Sequence, residues 1–139
     1  MKFTRNAFVD TNILVYAADE TVESSRKREI ARDLLRTPGL RLSVQVLNEF
    51  IASARNPKKL DLSWEAEQDW LSYWLRMPAA PVTLGLFNEA LRIHEGYRFS
   101  HWDSLILAAA LASKCQVLYT EDLQHGQIIE GLEIINPFL

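Results

Sequence analysis

One cysteine in 139 residues, Cys115, rules out an internal disulfide. It sits beside apolar residues and reads as a small core side chain. The three histidines, His94, His101 and His125, are too scattered to make a zinc set. No uncharged run approaches the roughly 20 residues needed to cross a bilayer. The first residues, Met1 to Arg5, lack the long apolar region of a secretory leader. These absences point to a cytoplasmic protein with no membrane partner. Positive charge is not in excess either: 15 Lys and Arg stand against 18 Asp and Glu, for a net charge of -3. A nucleic acid would have to be met by local basic patches or through a metal. No internal repeat, low-complexity run or linker interrupts the chain, so residues 1–139 are expected to form a single domain.

What is present suits a folded α/β domain. Hydrophobic residues make up 48% of the chain, enough for a core, and charged residues only 24%, which excludes a disordered polyelectrolyte. Ala7-Phe8-Val9 predicts a buried strand over 6–10, and the apolar restart at Ile13 a helix over 12–18. A second helix is expected over 23–37, with Ile30, Ala31, Leu34 and Leu35 as its apolar stripe. Its other side carries Arg26, Lys27, Arg28, Arg32 and Arg36. These read as a solvated face or, more sharply, as a surface for phosphates or an acidic partner. A strand follows at 40–42, then a helix over 44–55 capped by Ser43. Ser63 caps a helix over 64–76, whose Trp64, Trp70, Leu71, Trp74 and Leu75 read as packing. The 77–82 connection carries a short strand. Thr83 opens a helix reaching His94, with Leu84, Phe87, Ala90, Leu91 and Ile93 facing inward and 95–99 as a loop. Residues 101–113 are apolar all round beyond the first turn and belong in the middle of the domain. Strands at 116–119 and 133–136 end the chain. The alternation argues for a parallel sheet with helices on both faces.

Four acids fall at element ends: Asp10, Glu49, Asp103 and Asp122. In a right-handed parallel sheet all strand C-termini share one edge, so the four can project to one place. Oxygen donors without His or Cys suit a hard cation, Mg²⁺ or Mn²⁺. Such an ion polarises a phosphoryl oxygen and lowers the pKa of bound water; a pair of ions would also hold the leaving oxygen. Without a cation the cluster would repel a phosphodiester. Thr11, Asn12, Ser104 and Thr120 stand next to the acids and are placed to orient them or to bond a phosphate. Each acid also has an ordinary explanation. Asp10 can cap the helix after it, Glu49 can be a surface residue, and Asp122 can cap the turn at 123–125. Ser100 and Asp103 fit a capping box, which is compatible with metal binding. Glu49, hemmed in by Val46, Phe50 and Ala52, would need a cation if partly buried. Glu121 reads as solvent-facing, and His101 as a surface or capping residue.

Five short segments carry a family resemblance: Val9-Asp10-Thr11-Asn12-Ile13-Leu14, Asn48-Glu49-Phe50, Trp102-Asp103-Ser104-Leu105-Ile106, Thr120-Glu121-Asp122-Leu123-Gln124-His125-Gly126 and Asn136-Pro137-Phe138. In this order and spacing the chain resembles a PIN-domain ribonuclease, and more narrowly a VapC-type toxin of a bacterial toxin–antitoxin pair. The resemblance covers nearly the whole length. It implies a three-layer α/β/α sandwich around a short, mainly parallel sheet. It implies a catalytic quartet at Asp10, Glu49, Asp103 and Asp122, with Asn12 as the polar residue of the first motif and Thr120 to Asp122 as a Thr-x-Asp motif. Asp10 and Asp103 are the expected metal ligands. It further implies Mg²⁺- or Mn²⁺-dependent RNA cleavage, a homodimer, and inhibition by a small antitoxin covering the acidic groove.

Two other functions compete. A phosphoacceptor receiver domain also places acids at strand ends, but it needs a Lys after a late strand, and no Lys follows residue 114. A PIN-like module that binds RNA or protein without cutting is the second, and the intact acidic quartet counts against it.

Overall fold

Three consecutive buried residues, Ala7, Phe8 and Val9, make a strand with no solvent face. Such a strand belongs inside a parallel sheet covered on both sides. The structure, a computed structural model, describes residues 6–139. The leader expectation for Met1 to Arg5 therefore lies outside the described residues.

The elements run β1 (Ala7–Val9), α1 (Thr11–Ala18), α2 (Ser25–Leu35), β2 (Leu40–Ser43), α3 (Val44–Ala54), α4 (Trp64–Trp74), β3 (Ala79–Ala80), α5 (Leu84–Tyr97), α6 (His101–Ala112), β4 (Val117–Tyr119), β5 (Ile128–Ile129) and β6 (Leu132–Ile135). The sheet order is β3-β2-β1-β4-β6-β5. Every pairing is parallel except β5 with β6. Right-handed crossovers put α1 to α4 on one face, where they pack on one another, and α5 with α6 on the other. The result is a three-layer α/β/α sandwich around a mainly parallel sheet.

The chain leaves β1 toward β2 on one side and later returns to β4 on the other. The crevice between β1 and β4 is thus the topological switch point, where the loops after the two strands diverge. Val9 pairs with Tyr119, so Asp10 and Thr120 leave the sheet side by side. Helix starts are well fixed: the Ser43, Ser63, Thr83 and Ser100 hydroxyls accept N–H groups of Val46, Ala66, Leu86 and Asp103. Helix α6 is buried along Ile106 to Ala110, as its all-round apolar sequence requires.

Several expectations need correction. Helix α2 is shorter than 23–37, and a 3₁₀ turn at Val22–Ser24 precedes it. Helix α5 continues through Gly96 to Tyr97 instead of stopping at His94. It ends at Arg98 in the left-handed conformation, φ 66°, with His94 Nδ1 against the Phe99 carbonyl. Its inward face is Leu86, Ala90 and Ile93; Leu84, Phe87 and Leu91 are exposed. Of the residues expected to pack on α4, Trp74 is buried and stacked on Trp70, whereas Trp64 and Leu75 face solvent. The last strand spans 132–135, paired in a hairpin with the unforeseen β5. Its two-residue turn, Glu130-Gly131, has positive φ at both positions, 52° and 88°.

Among the described residues no helix is long and apolar enough to cross a membrane. Cys115 is buried and its thiol is pushed up to about 11 by burial, which makes it a core residue, not a nucleophile.

Candidate active site

Asp10 sits at the end of β1 and is only 6% exposed. Its Oδ1 accepts the Thr11 N–H at 2.7 Å, capping α1, and its Oδ2 accepts the Thr120 hydroxyl at 2.8 Å. The cap reading and the site reading of Asp10 are therefore the same geometry. Thr120, wholly buried at the end of β4, links three groups of the loop. Besides donating to Asp10, its Oγ1 accepts Asn12 Nδ2 at 3.3 Å and the Asp122 N–H at 3.1 Å. Asn12 Nδ2 also reaches Asp122 Oδ2 at 3.2 Å.

Glu49 comes from α3 on the same edge. Its Oε1 accepts the Thr11 hydroxyl at 2.5 Å and its Oε2 the Gln45 amide at 3.0 Å. The carboxylate is half-buried, and among the described residues a hydroxyl and an amide hold it. Gln45 was not foreseen. It lies four residues before Glu49 on the helix, a spacing at which Gln and an acid meet. The same amide lies 3.4 Å from the Trp102 carbonyl, tying α3 to the start of α6.

Asp103 is half-buried in the first turn of α6, where the Ser100 hydroxyl accepts its N–H at 3.1 Å. Burial raises its carboxyl pKa, opposed by Ser100, and the Asp122 and Glu49 charges raise it further. The Asp10 carboxyl is pushed up to about 7. Burial is the main cause; Thr120 and the Thr11 N–H pull it down, and Asp122 and Glu49 again push it up. Asp122 and Glu49 thus act on both Asp10 and Asp103, so the four acids share one electrostatic field.

They do not form a ready-made chelate. Among the described residues no three His, Cys, Asp or Glu side chains stand close enough together to hold an ion by themselves. Mg²⁺ asks for less, keeping several waters and taking one or two carboxylates. The donor set suits such an ion: all oxygen, with a desolvated carboxyl at Asp10 that a cation would return to the charged form. Asn12 Oδ1 and Ser104 Oγ, each next in the chain to residues of the cluster, are buried without a hydrogen-bond partner among the described residues, and both are oxygen acceptors. A cation or its water would satisfy them.

Glu121 is not solvent-facing. Its carboxylate accepts the Tyr16 hydroxyl at 2.7 Å and the Lys27 ammonium at 2.8 Å. The other α2 cations fold onto the chain as well. Arg26 donates to the Phe138 carbonyl, Arg28 to the Asp19 and Thr21 carbonyls, and Arg32 to the Ala17 carbonyl and Glu20. Arg36 pairs with Asp33. The helix face is therefore not simply solvated, although Arg36 stays exposed beside Asp33. His101 packs edge-on between the Phe87 and Trp102 rings. A cavity of about 790 Å³ lies elsewhere, between α2 and α4, lined by Arg32, Trp70, Trp74 and Met77 among others.

Comparison with known proteins follows the same lines. The chain matches no curated protein. Its fold is similar to solved structures that it covers almost end to end. A toxin–antitoxin complex from Klebsiella pneumoniae has a TM-score of 0.71 at 21% identity, over 95% of this chain and 98% of that one. VapC20 of Mycobacterium tuberculosis, a sarcin–ricin-loop-cleaving toxin, has a TM-score of 0.66 at 17% identity, over 84% and 92%. VapBC2 of Rickettsia felis, solved on a DNA fragment of its own promoter, has a TM-score of 0.62 at 20% identity, over 92% and 96%. The family pattern of the PIN domain runs from residue 7 to residue 129, from the strand that carries Asp10 to the hairpin beyond Asp122. By that match the chain belongs to the PIN domain family.

Proposed function

We infer that the protein is a metal-dependent endoribonuclease, the toxin of a toxin–antitoxin pair. The observation that carries this is the acidic cluster at the switch point: Thr120 bonds the Asp10 carboxylate, Asn12 bonds Asp122, and Thr11 bonds Glu49. The PIN family match and the likeness to toxin–antitoxin structures support it. When bound, Mg²⁺ or Mn²⁺ supplies a polarised phosphoryl oxygen and a bound water of lowered pKa. Asp10 and Asp103 are its protein ligands in this proposal. Thr120 fixes the Asp10 carboxylate, and Thr11 and Gln45 fix Glu49, so each acid keeps its direction as charge changes nearby. Asn12 holds Asp122 toward the cluster. Antitoxin binding over the acidic groove, a homodimer, action as a single 1–139 nuclease domain and a cytoplasmic location belong to the same proposal. A non-cleaving PIN module would have no need of three carboxylates, Asp10, Glu49 and Asp122, each oriented by neutral donors.

The test is cleavage of total RNA by the purified protein with Mn²⁺ or Mg²⁺, with EDTA, and by the Asp10→Asn and Asp103→Asn variants. Metal-dependent cuts are expected from the natural sequence, with loss of at least about a hundredfold in either variant. Equal cutting by the variants would remove Asp10 and Asp103 from the site. Binding without cutting under every metal would favour the binding module.

A further inference from the structure

Single-stranded RNA is gripped by phosphate charge, by stacking of its bases, or by both. Positive charge is not in excess in this chain. The net charge is -3, the crevice is acidic, and the α2 cations Arg26, Lys27, Arg28, Arg32 and Arg36 are all bonded to the protein's own carbonyls and carboxylates. Stacking needs an open aromatic ring beside the acids. Among the exposed rings of the described residues are Trp64, Tyr73, Phe87, Tyr97 and Trp102. Of these five, Trp102 is adjacent in the chain to an acid of the cluster, Asp103.

The ring is well supported. It is 64% exposed, yet its backbone is fixed in the first turn of α6. Its carbonyl lies within reach of the Gln45 amide that also holds Glu49. Its neighbour His101 meets it edge-to-face at 5.5 Å and meets Phe87 at 5.6 Å on the other side. A row of three rings therefore runs from α5 to the first turn of α6, the turn that carries Asp103. An indole so placed buries little apolar area for the fold, and the folded core has no use for it.

We propose that Trp102 is the stacking platform for a base flanking the scissile phosphate, and that His101 and Phe87 extend it. The proposal rests on the nuclease reading and names how its substrate is held. Stacking is tolerant of sequence, so the platform selects unpaired strands over duplex and leaves base identity to other groups.

The test uses fluorescent 20-nucleotide single strands of mixed sequence and a base-free strand of the same length and charge. Anisotropy measures their binding to the full chain carrying Asp10→Asn, which does not cut. The base-containing strand is expected to bind about tenfold more tightly than the base-free one. Trp102→Phe keeps most of that difference. Trp102→Leu, which preserves apolar bulk but has no π face, abolishes it. In the cutting protein Trp102→Leu raises KM and leaves kcat within about threefold. Unchanged binding in Trp102→Leu, or equal binding of the two strands, overturns the proposal. So does a change in sedimentation of Trp102→Leu without any change in RNA binding, which would assign the ring to a second copy of the chain. If the natural sequence cuts RNA while Trp102→Leu keeps its KM, only the platform fails. If base-dependent binding through Trp102 persists but no metal supports cutting, only the nuclease reading fails.

Discussion

Asp10 closes the N-terminus of α1 and contributes a buried charge to the crevice. The two roles pull in opposite directions when no cation is present. The folded carboxyl holds its proton up to about pH 7, while the unfolded one releases it near 3.9. Between these values the folded state binds more protons, so stability of the metal-free protein falls as pH rises from about 4 to 7. The full loss, a few kcal/mol, is present above that window. Urea denaturation in EDTA at pH 5 and pH 8 checks the sign. The natural sequence should lose stability between the two, and Asp10→Asn should lose clearly less. Equal losses would mean that the carboxyl is not desolvated. Thr120→Val makes a second case. It leaves an Asp10 oxygen, the Asn12 amide and the Asp122 N–H without their shared hydroxyl. A destabilisation of about 2 to 3 kcal/mol is expected in the same urea experiment. A change below 0.5 kcal/mol, the scale of a plain surface substitution, would contradict it. Asp10, Thr11, Asn12 and Thr120 were legible in the sequence because each stands where an apolar run stops. Gln45 was missed although its four-residue spacing to Glu49 was readable; its tie to Trp102, 57 residues away, leaves no local mark. Glu121 was misjudged for the same reason: its partners Tyr16 and Lys27 come from elements about a hundred residues earlier.

At the scale of elements, α2 shows how a basic helix face can serve the fold. Three of its arginines donate to backbone carbonyls at the end of α1, in the turn beyond it and at the C-terminal Phe138. Carbonyls at a helix end lack intrahelical partners, and a guanidinium satisfies them with complementary charge. Arg32→Ala is therefore expected to cost about 1 kcal/mol in thermal or urea unfolding while leaving RNA affinity unchanged. The reverse, intact stability with weakened RNA binding, would restore the phosphate-contact reading of α2. The starts of α3, α4, α5 and α6 were readable because Ser and Thr caps are chemical signals that survive in any context. Helix ends were less so. Gly96 suggested a stop, but α5 packs its Leu86, Ala90 and Ile93 against α6, and burial outweighs the roughly 1 kcal/mol that one glycine costs. The β5–β6 hairpin escaped notice because strand β5 has two residues, too few for any periodicity. Its Glu130-Gly131 turn was the available clue.

The whole molecule places the crevice by topology before any side chain acts. A parallel sheet whose chain departs from β1 to one side and from β4 to the other opens a gap at their C-terminal ends. The fold class followed from the alternation of elements; the convergence of acids from positions 10, 49, 103 and 122 did not, because it depends on the strand order. What the structure adds is the set of hydroxyl and amide groups that hold three of them, Asp10, Glu49 and Asp122. The most direct measurement is thermal unfolding across a Mn²⁺ titration, with the natural sequence, Asp10→Asn, Asp103→Asn and the double variant. A hundredfold excess over the dissociation constant should stabilise the natural sequence by about 2.7 kcal/mol. Each single variant should lose most of that shift, and the double variant should lose no more than either, as for residues of one site. Mn²⁺ shifts that persist undiminished in both single variants would show that these acids do not hold a common ion.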